Sequence, residues 1–152
     1  MLRFSLLVLI PLVLLAGLGC GPKPVTVEEF GTRLVTLPGG QQIRAEVMVR
    51  PEDMARGMMF REELPPGRGM LFVHPRPGQY SYWMYQVKVP LDIIWLDSNR
   101  RIVEISANTP PCHSAASECP SYGGAQESQF TLELAGGMAA RYGLKVGATL
   151  TF

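Results

Sequence analysis

Leu91-Asp92-Ile93-Ile94-Trp95-Leu96, followed by the turn residues Asp97-Ser98-Asn99-Arg100 and by the apolar-rich segment from Ile102 to Ile105, is the stretch whose reading decides the fold. Six residues suit a strand, and Ile and Trp are good strand formers. Side chains of a strand alternate between its two faces, so Leu91, Ile93 and Trp95 share one face and Asp92, Ile94 and Leu96 the other. Both faces are apolar apart from Asp92, and such a strand is normally covered on both sides. The Asp-Ser-Asn-Arg tetrad is rich in turn formers, which joins this strand to the next.

Outward from this pair, short elements alternate with Gly and Pro. Residues 34–37 and 43–49 alternate in polarity around Pro38-Gly39-Gly40, a β-hairpin signal. Pro51 to Gly57 reads as a short helix, with proline at its first position, Glu52 and Asp53 in its first turn, and a closing glycine. Residues 70–73, 80–85 and 149–152 read as further strands, as does Phe130 to Leu134, where Thr131 and Glu133 fall on the polar face. Met138 to Tyr142 fits a second short helix ended by Gly143. Such a chain is mainly β: a compact sandwich or partly closed barrel of about seven or eight short strands with two short helices.

The N-terminus has a separate character. Arg3 precedes an apolar run from Phe4 to Leu15, and Ala16-Gly17-Leu18-Gly19 leads into Cys20. A basic start, an apolar stretch and small residues before a cleavage point make a secretory signal. The run is shorter than the roughly 20 apolar residues of a membrane-spanning helix. Leu18-Gly19-Cys20 resembles the end of a bacterial lipobox, whose cysteine is lipidated. The expected organisation is a signal peptide over residues 1–19, an extended tether over 20–31 beginning at the lipidated Cys20, and one β-rich domain over 32–152. The expected location is the bacterial cell envelope, with a lipid anchor holding the protein to a membrane. Without Arg3, the 14 basic residues fall to 13 and equal the 13 acidic ones. A neutral domain with no basic run does not read as a nucleic-acid binder.

Cys112 and Cys119 then remain as a pair, in a loop flanked by Pro110, Pro111 and Pro120. A metal site using Cys112, His113 and Cys119 is the competing reading. Zinc sites space paired cysteines by two to four residues and take four ligands, and an oxidising compartment favours a bridge. A disulfide is therefore expected, contributing about 2.5 kcal/mol by loop-closure entropy.

Four features could carry chemistry. Asp92, within an otherwise apolar strand, must find a partner once it loses water. Arg56 and Arg61, which flank Gly57 to Phe60, are the expected ion-pair partners. Such a pair either fixes the fold or places a carboxylate in a ligand pocket. Gln79 to Tyr85 packs Tyr80, Tyr82, Trp83 and Tyr85 into seven residues, suiting either ordinary core packing or an exposed binding surface. The seven methionines beyond residue 20, with His74, raise a copper-binding reading, but methionine is a common core filler and no tight motif repeats. Neither a metal nor a cofactor is expected. No Gly-x-Ser-x-Gly or phosphate-binding loop occurs.

The ordered series Arg56-Gly57-Met58-Met59-Phe60-Arg61, Leu64-Pro65, Gly67 to Val73, Trp83-Met84, Pro90 to Ile94, Asp97 and Arg101-Ile102-Val103 resembles the bacterial and archaeal domain of unknown function 192 family, also called uncharacterised protein family 0127. Pro110-Pro111-Cys112, Leu132-Glu133-Leu134 and Gly143 to Gly147 fit the same pattern. The resemblance covers residues 40–152 and implies a compact β-sandwich-like domain, often exported or lipid-anchored, with no assigned reaction. The family usually follows Trp-Met with Lys-Asn-Thr, where this chain has Tyr85-Gln86-Val87.

Three functions are open at this point. The first is non-enzymatic binding of a small ligand or envelope partner through a pocket around Arg56, Arg61, Trp83 and Asp92. The second is hydrolysis of an envelope polymer, with Asp92 and Glu133 as candidate acid–base groups. The third is a purely structural accessory role.

Overall fold

The hairpin signal around Pro38-Gly39-Gly40 is realised in a computed structural model that describes residues 31–152. Strand β1 (Thr32–Thr36) pairs antiparallel with β2 (Gln42–Met48), so that Leu34 faces Arg44 and Val35 faces Ile43. After α1 (Pro51–Arg56) the chain crosses over to β3 (Arg68–Gly78), which lies parallel to β2. Next come β4 (Tyr82–Trp83), β5 (Leu91–Leu96), β6 (Ile102–Thr109), a 3-10 turn at Ala116–Glu118, β7 (Ser121–Tyr122), β8 (Ser128–Ala135) and α2 (Met138–Arg141). The expected signal peptide, Cys20 and all but the last residue of the expected tether lie outside the described residues.

Six strands form one mixed sheet in the order β1-β2-β3-β8-β5-β6, and β4 pairs with β7 in a separate two-stranded ribbon. The fold is thus mainly β and sandwich-like, with two short helices. The large sheet does not close into a barrel. The stretch expected as a final strand at 149–152 supplies only isolated bridges. Thr151 bridges to Thr36 at the end of β1, and Thr149 bridges to Arg101 just before β6. The expected strand over 80–85 likewise shortens to Tyr82–Trp83. In β3, Pro75 and Pro77 cannot donate to a ladder, and the pairing with β8 shifts register between Val73 and Gly78.

The opening stretch behaves as its composition requires. All six residues of β5 are buried. Ile94 and Leu96 join a core with Val35, Ile43, Leu71 and Leu132, which Ala139 of α2 helps to cover. Ile93 and Trp95 enter a second core with Met48, Met70, Phe72 and Met84 on the other face. Gly123 (φ +69°) lets the backbone pass over Trp95, because a Cβ there would stand 2.2 Å from the indole. The indole Nε1 donates to the Tyr80 carbonyl at 2.7 Å. The Cys112–Cys119 disulfide is present, and Cys112 packs partly buried against the second core.

Asp92 does not pair with Arg56 or Arg61. Its Oδ1 accepts the backbone N–H of Asn108 at 2.6 Å and of Gly137 at 3.0 Å, and its Oδ2 accepts the Ala139 N–H at 2.6 Å. Gly137 and Ala139 begin α2, and Gly137 supplies no side-chain cap of its own. Asp92 therefore caps a helix that starts 45 residues later in the chain. The acid is fully buried, and charge-assisted bonds from backbone donors replace the expected guanidinium.

Candidate functional site

Pairing across the sheet places directly opposed residues on the same face. Glu46, Met70, Glu133 and Ile93 form one such row, and Met48, Phe72, Thr131 and Trp95 form the next. Asp92 is opposed to Leu134 and so lies on the other face. Asp92 and Glu133 therefore share no cleft.

Arg61 closes the first row. Its guanidinium binds the Glu46 carboxylate bidentately, at 2.5 and 2.6 Å, with both side chains largely buried. Glu133, expected on a polar face, is buried because β8 lies between β3 and β5 and is covered on both sides. Burial pushes its carboxyl up to about 8, against the opposing pull of Arg61. Its Oε2 has no hydrogen-bond partner. At neutral pH this shift favours the protonated form of Glu133.

Above the second row lies an open groove of about 430 Å³, lined by Met54, Phe72, His74, Tyr80, Tyr82 and Trp83, with Ala55, Gln79 and Ser81 completing it. The Tyr82 ring meets Phe72 edge-on with centroids 5.0 Å apart and Trp95 at 5.9 Å. Its hydroxyl lies 3.0 Å from His74 Nε2. His74 stacks flat on Tyr80, with centroids 3.5 Å apart and planes 3° apart. Burial lowers the imidazole to about 4, so His74 is neutral at physiological pH. Burial also raises the Tyr82 hydroxyl above its ordinary value, and the Glu133 carboxylate acts in the same direction. Trp83 stays 42% exposed at the rim, tilted against Tyr85.

A second hollow, of about 340 Å³, is lined by Gln86, Val87, Lys88, Cys112 and His113. It contains Gln86 and Val87, two of the three residues that replace the usual Lys-Asn-Thr element. Gln86 and Phe60 both take left-handed backbone conformations, and the Phe60 N–H donates to the Gln86 carbonyl at 2.9 Å. Lys88 is tied to Glu62 and His113 is exposed, so polar groups do not converge there as aromatic rings do in the groove.

Of the four residues expected to line a pocket together, only Trp83 reaches the groove. Arg56 ends α1 and is exposed, Arg61 serves Glu46, and Asp92 faces the opposite core. Sequence reasoning missed Phe72, His74 and Glu46 as parts of this region. The aromatic density of residues 80–85 was the one signal that pointed to it. Among the described residues, no group of three or more His, Cys, Asp or Glu side chains is placed to hold a metal ion. No described helix is long and apolar enough to cross a membrane.

The family model DUF192, described as an uncharacterised ACR, matches residues 34–152. The chain belongs to the DUF192 family. Its fold is similar to a crystal structure of a protein of unknown function from Novosphingobium aromaticivorans DSM 12444. The two share 31% identity and a TM-score of 0.76 over 88% of this chain and 94% of that one. It is also similar to a candidate transcription regulator from Sinorhizobium meliloti 1021, with 28% identity and a TM-score of 0.72 over 80% of this chain and 94% of that one. No curated protein matches the chain. Membership in DUF192 accounts for the fold, and function has to be argued from the site.

Proposed function

We propose that this DUF192 protein is a non-enzymatic binding domain of the cell envelope that takes a small ligand into the aromatic groove. The observation that carries the reading is the convergence of Phe72, Tyr80, Tyr82 and Trp83 on one open groove. Exposed aromatic surface beside a few polar groups is what small-molecule sites offer. The three buried carboxyl groups, Asp92, Glu46 and Glu133, have structural partners or a retained proton, and no pair of carboxylates lines the groove for acid–base work. The envelope location is supported by Arg3, the apolar run to Leu15 and Leu18-Gly19-Cys20, and by a disulfide suited to an oxidising compartment. In this reading the lipid on Cys20 supplies the membrane contact.

A thermal-shift screen of small molecules against the full chain tests the binding claim, because a ligand of the native state raises its melting temperature. At least one hit should lose its effect in Trp83→Ala while the unliganded melting temperature stays within about 2 °C, as expected for a rim residue. Hits that are all insensitive to Trp83→Ala and Tyr80→Leu would place binding elsewhere. Mass spectrometry of membrane-extracted protein tests the anchor: the N-terminal peptide should begin at an acylated Cys20.

A further inference from the structure

We propose that the occupant of the groove is a free quaternary ammonium compound, held by the aromatic rings as a cation; this deepens the binding reading above and rests on it. Three observations on the groove lead there.

The first is ring geometry. Tyr80 lies parallel to His74, 3° apart, and His74 stands at 78° to Tyr82. The Tyr80 and Tyr82 rings are therefore roughly perpendicular, and Phe72 also stands at 78° to Tyr82. Phe72 is buried at the base of the groove, and Tyr80, Tyr82 and the exposed Trp83 border it, so a rounded cation entering there meets aromatic surface whose faces carry negative potential.

The second is the state of the polar edges. The Tyr80 hydroxyl donates to the Arg76 carbonyl at 2.8 Å, and the Tyr82 hydroxyl is engaged by His74. The Gln79 side-chain amide reaches the Ala125 carbonyl at 3.5 Å. A sugar entering here would give up bonds to water and find most polar groups already taken, which costs affinity. A quaternary ammonium makes no hydrogen bonds and needs only ring faces.

The third is charge. No lining residue carries a formal charge once His74 is neutral, so the lining itself does not repel a cation. The largely buried Arg61 guanidinium is not part of the lining and is engaged by Glu46. The absence of a basic side chain from the lining also selects between sources of the same head group. The phosphate of a phosphocholine lipid would find no cation among those residues, whereas a free quaternary amine brings no phosphate.

The test is a titration of tryptophan fluorescence in the full chain, backed by calorimetry, with choline, its neutral carbon isostere 3,3-dimethylbutanol, methyl glucoside, and vesicles of phosphatidylcholine. Choline should bind at least tenfold more tightly than the isostere, and Trp83→Ala and Tyr80→Leu should each weaken it at least fivefold. Isostere binding as tight as choline, or tighter methyl glucoside binding, would overturn the cation while leaving the groove a ligand site. Phosphatidylcholine vesicles captured where choline is not would overturn the free-ligand assignment. If no probe binds, and the thermal-shift screen gives no hit sensitive to Trp83→Ala, both this inference and the binding reading fall. Lys145→Ala, an exposed change outside the groove, is the control and should retain choline binding.

Discussion

Asp92 and Glu133 stand on neighbouring strands of one sheet, both buried, and meet opposite fates. On one face, three backbone N–H groups converge on Asp92 and tie β5 to β6 and α2. On the other, Glu133 faces a guanidinium already shared with Glu46, keeps one oxygen without a partner, and has its carboxyl pushed up to about 8. Burial alone does not decide what a carboxylate does. The number of donors aimed at it decides whether it fixes structure or holds a proton. The Asp92 face is the anchored side of the molecule, and the Glu133 face carries the ribbon, the disulfide loop and the groove.

The strongest way to break this contrast is Asp92→Ala. Three buried N–H groups would lose their acceptor, and the start of α2 would lose its cap. A loss of about 4 kcal/mol is expected, which in a domain of this size lowers the melting temperature by roughly 15 °C. Asp92→Asn, which keeps one acceptor oxygen, should fall between the variant and wild type. Calorimetry on all three proteins checks this, and a shift of only a degree or two for Asp92→Ala would refute the capping role.

Opening the disulfide with paired Cys112→Ser and Cys119→Ser probes the other face. The expected loss is about 2.5 kcal/mol from loop entropy. Because Cys112 bonds through its N–H to the Met84 carbonyl and packs on the second core, the faster amide exchange should concentrate in β4 and β7. Equal acceleration across α2 and β6 would show that the two faces are not independent.

The last test sharpens the contrast through pH. Glu133 holds its proton in the folded state to about pH 8, whereas an unfolded glutamate releases it near pH 4.3. The unfolded state therefore binds fewer protons across that window, and stability declines as pH rises from about 4.5 to 8, then levels off. Glu133→Gln removes the ionisation. Its urea-unfolding free energy should lack that decline and exceed wild type by at least about 1 kcal/mol at pH 8.5. An identical slope in both proteins would mean that Glu133 is already ionised when folded.

Much of the architecture was legible from local pattern. The strand at 91–96 appears at the residues expected, because a six-residue apolar run between turn formers has few alternatives. The hairpin at Pro38-Gly39-Gly40, both short helices and the Cys112–Cys119 bridge are likewise present. The candidate site was legible only in part. Tyr80, Tyr82 and Trp83 announced themselves by density, but His74 and Phe72 reach the groove from β3, a strand whose neighbours its own sequence does not name. Glu133 was misread for a definite reason. Alternation of polarity in β8 tells which residues share a face, but solvent exposure of that face depends on which strands lie alongside and what packs above.

By itself the sequence determined the longer strands and both short helices, the main turns, the identity of the disulfide pair and the fact that Asp92 had to be held, but not the two-residue β4 and β7 or the bridges at 149–151. Those follow from backbone preference, periodicity and the cost of burying a charge, all of which act over a few residues. Only the tertiary structure decided that β8 runs through the middle of the sheet, that Glu46 rather than Asp92 takes Arg61, and that a helix 45 residues downstream supplies the donors for Asp92. Each of those choices joins segments far apart in the chain. Such contacts depend on strand order and on which cores close together, and no local window of residues contains that information.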